Sequence, residues 1–294
     1  MLVLCGIIYA FVLVAMFAIA FLLNTFINMI DSSLLASVEK WQIILGVIVV
    51  SIPVTFIVLK IIEKRESQRP IAVTRKQMVE EMNNNGITDR IFELVDKGMA
   101  LYDGGTSDFS YYKDFVIIGA EVYMISGNID KALSLITKID KNEIINIVGD
   151  TFDKGQGIVT YFTVQMELCA DMHDLNRANM IFSDSKPYME KYYGKLSAVD
   201  MTIDGFYSIY YLLCNDGNRA REYAEKVLNN KFHVKNNHIS GHMYLAMAYH
   251  KLGNVAKVSE LLAEAERRME VSKRGWSKDV YAYYKKQMGD IFHP

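Results

Sequence analysis

Residues 120–136 read AEVYMISGNIDKALSLI, and the same outline returns as YYLLCNDGNRAREYAEKVL at 210–228 and as AMAYHKLGNVAKVSELL at 246–262. In each, an apolar run ends at a Gly-Asn pair, and a second run follows whose apolar residues stand three or four apart. A fourth stretch, ELCADMHDLNRANMIF at 167–182, fits the same frame with His173 where the others carry Gly. Read this way, the turn positions Gly127, His173, Gly217 and Gly253 are 46, 44 and 36 residues apart. An apolar helix, a tight turn and an amphipathic helix form a unit that cannot bury its own face, so successive units must stack. Alternating strand patterns flanked by hairpin turns do not occur after residue 88, and the body 86–294 is predicted to be all-α.

Outward from the repeats, Ile91, Phe92, Leu94, Val95 and Met99 have helical spacing, with Thr88 or Asp89 as cap and Asp103-Gly104-Gly105 as terminator. The segment GDTFDKGQG at 149–157 lacks the GK[ST] ending of a phosphate loop and is predicted to be a surface loop between hairpins. Residues 277–292, amphipathic and rich in Tyr, are predicted to cap the array.

The repeated unit resembles the tetratricopeptide repeat (TPR) family, two antiparallel helices per unit. In residues 239–272, Tyr249, Gly253 and Ala265 fall on the family's first-helix Tyr, turn Gly and late second-helix Ala. Departures are Ala246 for the close-packing Gly, His242 for the Trp and Val258 for the small residue after the turn. Tyr123, Gly127 and Ala132 match in the first unit, with Ala120 in place of the Gly; Ala178 and Phe182 match in the second, and Gly217 in the third. The resemblance implies an α-solenoid whose first helices line a concave face that binds a protein or peptide. In that frame the face collects Glu121, Met124, Glu167, Tyr207, Tyr211, Met243, Met247 and His250.

Upstream, residues 1–62 carry only Asp31, Glu39, Lys40 and Lys60 as charges. Residues 1–30 have none, and WQIILGVIVVSIPVTFIVLKII at 41–62 has none before Lys60, so a two-helix transmembrane hairpin is expected, with spans near 3–27 and 41–62. A signal peptide would need a basic start and a shorter apolar run. The stretch 63–85 reads as a basic juxtamembrane linker, and its bases stay with the cytoplasm. Both termini and the repeat body are then expected on the cytoplasmic side of a plasma or inner membrane. Lys60, Lys64, Arg65 and Arg69 are placed to meet lipid headgroups.

The net charge of −2 falls wholly beyond residue 62, as a local +3 over 63–76 and −5 over 77–294, which argues against nucleic acid as a partner. Cys5, Cys169 and Cys214 form no CxxC pair. His233, His238, His242 and His250 cluster in sequence, but HISGH at 238–242 lacks the Glu of a zinc-protease helix, so no metal is assigned. No nucleophile–base pair or carboxylate dyad stands out, and neither a cofactor nor an enzymatic activity is expected. The expectation is a membrane-anchored scaffold or adaptor. The alternative is a sensor or regulatory subunit whose solenoid binds a small ligand.

Overall fold

The computed structural model describes residues 52–53, 55–61, 64–146, 151–235, 238–272 and 274–290. It divides the chain into two compact units, Met1–Ala72 and Val73–Pro294. The first predicted span and most of the second lie outside the described residues. In the first unit, residues 55–61 and 64–67 are helical; Lys60, Lys64 and Arg65 are exposed, and Arg69 bridges Glu66 at 3.2 Å. No helix among the described residues is long and apolar enough to cross a membrane.

The described residues form helices and no strand. In chain order these are α1 (Pro70–Asn85), α2 (Asp89–Ala100), α3 (Phe109–Ile125), α4 (Ile129–Ile136) and α5 (Lys141–Ile145). They continue with α6 (Thr151–Asp171), α7 (Leu175–Tyr192), α8 (Ser197–Leu213), α9 (Gly217–Asn229) and α10 (Lys231–Lys235). The last three are α11 (Ser240–Lys251), α12 (Val255–Val271) and α13 (Ser277–Asp290). The expected tether is thus helical from Pro70 onward.

Four hairpins, α3/α4, α6/α7, α8/α9 and α11/α12, make up the array. The second helices α4, α7 and α9 each also pack on the first helix of the next hairpin, and the first helices α3, α6, α8 and α11 pack in succession. Two-sided packing explains why Ala120, Ala132, Ala178, Ala220, Ala246 and Ala265 are fully buried, since a small residue lets helix axes approach closely.

The four turns share one construction. A residue with positive φ ends the first helix: Gly127 (84°), His173 (53°), Asn215 (61°) and Gly253 (71°). The next residue, Asn128, Asp174, Asp216 or Asn254, closes a Schellman loop by donating its backbone N–H to Tyr123, Cys169, Tyr211 or Tyr249 at 2.8–2.9 Å. The side chain of that same residue caps the second helix, accepting from the N–H of Lys131, Arg177, Arg219 or Lys257 at 2.9–3.2 Å. In the third hairpin the turn therefore falls on Asn215, not Gly217. Asp216 must be the cap, and Gly217 is already the first residue of α9.

The segment 151–157 is likewise no loop but the first turns of α6. Gly155 lies against the ring of Tyr192 in α7, where a Cβ would come within 2.8 Å. Its glycine marks a helix crossing rather than a bend.

The first and last elements of this unit are joined. Ile87, at the α1–α2 turn, donates its N–H to Asp279 Oδ2 in α13 at 2.9 Å, and Gly275 donates its N–H to the Asn83 carbonyl.

The double role of the turn residues predicts that Asn254→Ala, which removes only the side-chain cap, costs about 1 kcal/mol in denaturant unfolding. Gly253→Val forces a β-branched residue to positive φ and should cost about 1–2 kcal/mol. Asn215→Gly, at a non-Gly position already in that conformation, should be neutral or slightly stabilising. Equal effects at all three positions would contradict the shared turn geometry.

Candidate functional site

The inner helices alone would leave an open trough. In this protein α13 folds back over it, packing against α11, α12 and α3. The helix is held by phenolic hydroxyls. Tyr284 donates to Glu167 Oε1 at 2.7 Å, Tyr244 of α11 donates to the same oxygen at 3.2 Å, and the two tyrosine oxygens are 3.0 Å apart. One helical turn further along α6, Asp171 accepts from Tyr283 at 2.9 Å and from Gln287 at 3.1 Å. Two carboxyls of α6 thus hold the lid from below, and Glu266 of α12 holds it from the side through Tyr281 and Lys285.

Beneath it lies a cavity of about 250 Å³. Glu121 and Met124 of α3 form one wall; Gln156, Thr160, Thr163 and Glu167 of α6 form the floor. The other side comes from Met201 and Thr202 of α8, from His238, Ser240 and Tyr244 at the start of α11, and from Arg274, Trp276 and α13. Three lining residues carry a buried polar atom with no hydrogen-bond partner within the protein: Gln156 Oε1, Ser240 Oγ and Trp276 Nε1. Such atoms cost about 1–3 kcal/mol each when left unsatisfied.

The carboxyls here are far from ordinary. Burial pushes Glu167 up to about 8, the Tyr284 hydrogen bond pulling only partly the other way, and burial pushes Glu121 up to about 7. Glu121 makes no hydrogen bond or ion pair among the described residues. Arg274 also lacks an acidic partner among them; its Nη1 lies 3.0 Å from His238 Nε2. Burial, then Arg274, holds His238 down at about 4, so its imidazole is neutral.

Of the residues expected on the concave face, Glu121, Met124 and Glu167 come together in this cavity. Glu121 and Glu167 share a repeat position, six residues before the turn residue. In the next two hairpins that position holds Ile209 and Met247, both fully buried. Met243 is fully buried too. Tyr207 lines a separate recess with Tyr193, Tyr223 and Lys226, and Tyr211 stacks on Tyr223 at 5.6 Å beneath the Arg219 guanidinium. His250 is half-buried at the C-terminal end of α11. Sequence reasoning missed Tyr244, Arg274, Trp276 and Tyr284; the Tyr-rich pattern of α13 was the available signal. Among the described residues, no group of three His, Cys, Asp or Glu side chains is disposed to hold a metal.

The raised carboxyls carry a pH prediction. Glu167 near 8, Glu121 near 7 and Asp204, also buried, near 7 all keep protons in the folded protein that the unfolded chain has released above about 4.5. Below about pH 6.5 this is offset by His233, His238 and His242, which burial holds down at about 3, 4 and 4 and which the unfolded chain protonates. From about 6.5 to about 8 the carboxyls dominate, folding takes up protons, and stability should fall as pH rises. The loss should be on the order of a few kcal/mol in chemical denaturation, and Glu167→Gln should flatten the slope between pH 6 and 8. A stability that rises over the same range would refute the buried, proton-holding arrangement.

Comparison of the chain with protein-family models, with curated proteins and with solved structures gives no match.

Proposed function

We propose that the repeat body is a TPR-like solenoid acting as a ligand-binding sensor or regulatory unit, carried on the membrane by the hairpin of residues 1–62. The observation that carries this is the lidded cavity: a partly enclosed space beneath α13, lined by Gln156, Ser240 and Trp276, each of which holds a buried polar atom without a partner in the protein. Binding sites are typically concave, largely apolar and furnished with a few convergent polar groups, and this volume suits a metabolite rather than a drug-sized molecule. Because Tyr283, Tyr284 and Gln287 tie the lid to the same helix that floors the cavity, an occupant would alter how firmly α13 is held. That supplies a route from ligand to partner.

The adaptor reading keeps one specific support. The concave face already accepts a helix, α13, through carboxyl–phenol hydrogen bonds, and a partner helix of like chemistry could take its place. Neither reading requires chemistry on a substrate.

A filtrate of host-cell small molecules below about 1 kDa is the direct test. It should raise the melting temperature of the purified full chain, and Thr160→Phe, which fills the cavity from α6, should abolish the rise while leaving a cooperative transition. No shift with the unaltered protein would overturn the small-ligand reading. For the membrane arrangement, protease added to sealed, right-side-out vesicles should leave 63–294 intact; digestion would reverse the topology.

A further inference from the structure

We infer that the cavity under α13 takes a small zwitterion the size of a free amino acid, its ammonium group directed to Glu121 and Glu167 and its carboxylate to Arg274. This deepens the small-ligand reading above and rests on it.

A charged group taken out of water needs a partner, and one that keeps none imposes a large penalty. Glu121 and Arg274 both line the cavity, yet neither is paired with an opposite charge among the described residues. Nor do they serve each other. No ion pair joins Arg274 to Glu121 or Glu167 among the described residues, so the positive and negative groups are not in contact within the one space. A simple cation would meet the carboxyls and leave Arg274 facing added positive charge. A simple anion would do the reverse. Only a ligand with both poles satisfies both ends.

The remaining lining fits the same class. Met124, Val164, Ile239 and Val280 offer apolar surface for a hydrocarbon body. Thr160 of α6 lines the wall with a hydroxyl that accepts from Gln156 Nε2 at 2.9 Å and keeps its own proton to donate. At the Arg274 end, Trp276 supplies an indole N–H without a protein acceptor, the donor a carboxylate would use. At the other end, the carboxyls are held close to neutrality by burial and can ionise when an ammonium arrives. Tyr284 and Tyr244 bond to one oxygen of Glu167, leaving its second oxygen for the ligand.

The test uses the full chain in detergent micelles at neutral pH and isothermal titration with each of the twenty common amino acids. For the best binder, the matching amine without its carboxyl and the matching acid without its amine are titrated next. One amino acid should bind, and both truncated analogues should lose at least tenfold in affinity. Glu121→Gln and Arg274→Gln should each weaken the amino acid at least tenfold. Arg267→Gln, on the exposed side of α12, should leave affinity unchanged and serves as the folding-matched control. An amine or an acid binding as tightly as the amino acid would overturn the zwitterion, as would a binder indifferent to Arg274. If no amino acid binds while the small-molecule filtrate still stabilises the protein, the zwitterion falls and the small-ligand reading stands. If the filtrate is also inert, both fall.

Discussion

One residue per hairpin carries the architecture. Asn128, Asp174, Asp216 and Asn254 each end one helix with their backbone N–H and begin the next with their side chain. Four orphan donors and four orphan acceptors at every helix junction would otherwise need water or longer loops. Fusing the two caps in one residue fixes the interhelical angle with a turn of three residues. With the angle repeated, the inner helices fall into register and a trough is unavoidable. The cavity follows from the turns.

What occupies the trough is decided elsewhere, by α13 and by the acids of α6. Glu167 and Asp171 sit one turn apart, a spacing that puts them on one face of the helix. Their partners Tyr284 and Tyr283 lie 117 and 112 residues away along the chain. Burial pushes Glu167 up to about 8 against the opposing pull of its phenol hydrogen bonds, so at this acid the lid is attached with little compensating charge. That choice leaves Arg274 and Glu121 unneutralised in the same space, which is why the cavity has chemical character at all.

The hairpins were legible because their signals are local. Gly127 and Gly253 sit at positive φ, and the Asn that follows each is a strong N-cap residue; both are readable from a few letters. The third hairpin misled because Asp216-Gly217 looks like a turn, whereas Asn215 adopts the left-handed conformation and frees Asp216 to cap. Residues 151–157 misled for the opposite reason, since a glycine that permits helix crossing looks the same in sequence as one that bends a loop. Glu121, Met124 and Glu167 come together in the cavity because they share the inner face of their hairpins. Tyr244 lies beside Met243 but on a different side of α11, and helical spacing alone does not say which side the lid will cover. Long-range partners such as Tyr284 leave no trace in a local pattern.

The joining of Asn83 and Ile87 to Gly275 and Asp279 bears on how this array comes apart. Stacked hairpins ordinarily peel from their ends, because terminal units have one neighbour instead of two. Here the outermost elements grip one another, so neither is a free end from which fraying can start. Melting must first break that clasp, which turns a chain of quasi-independent units into a single all-or-none transition.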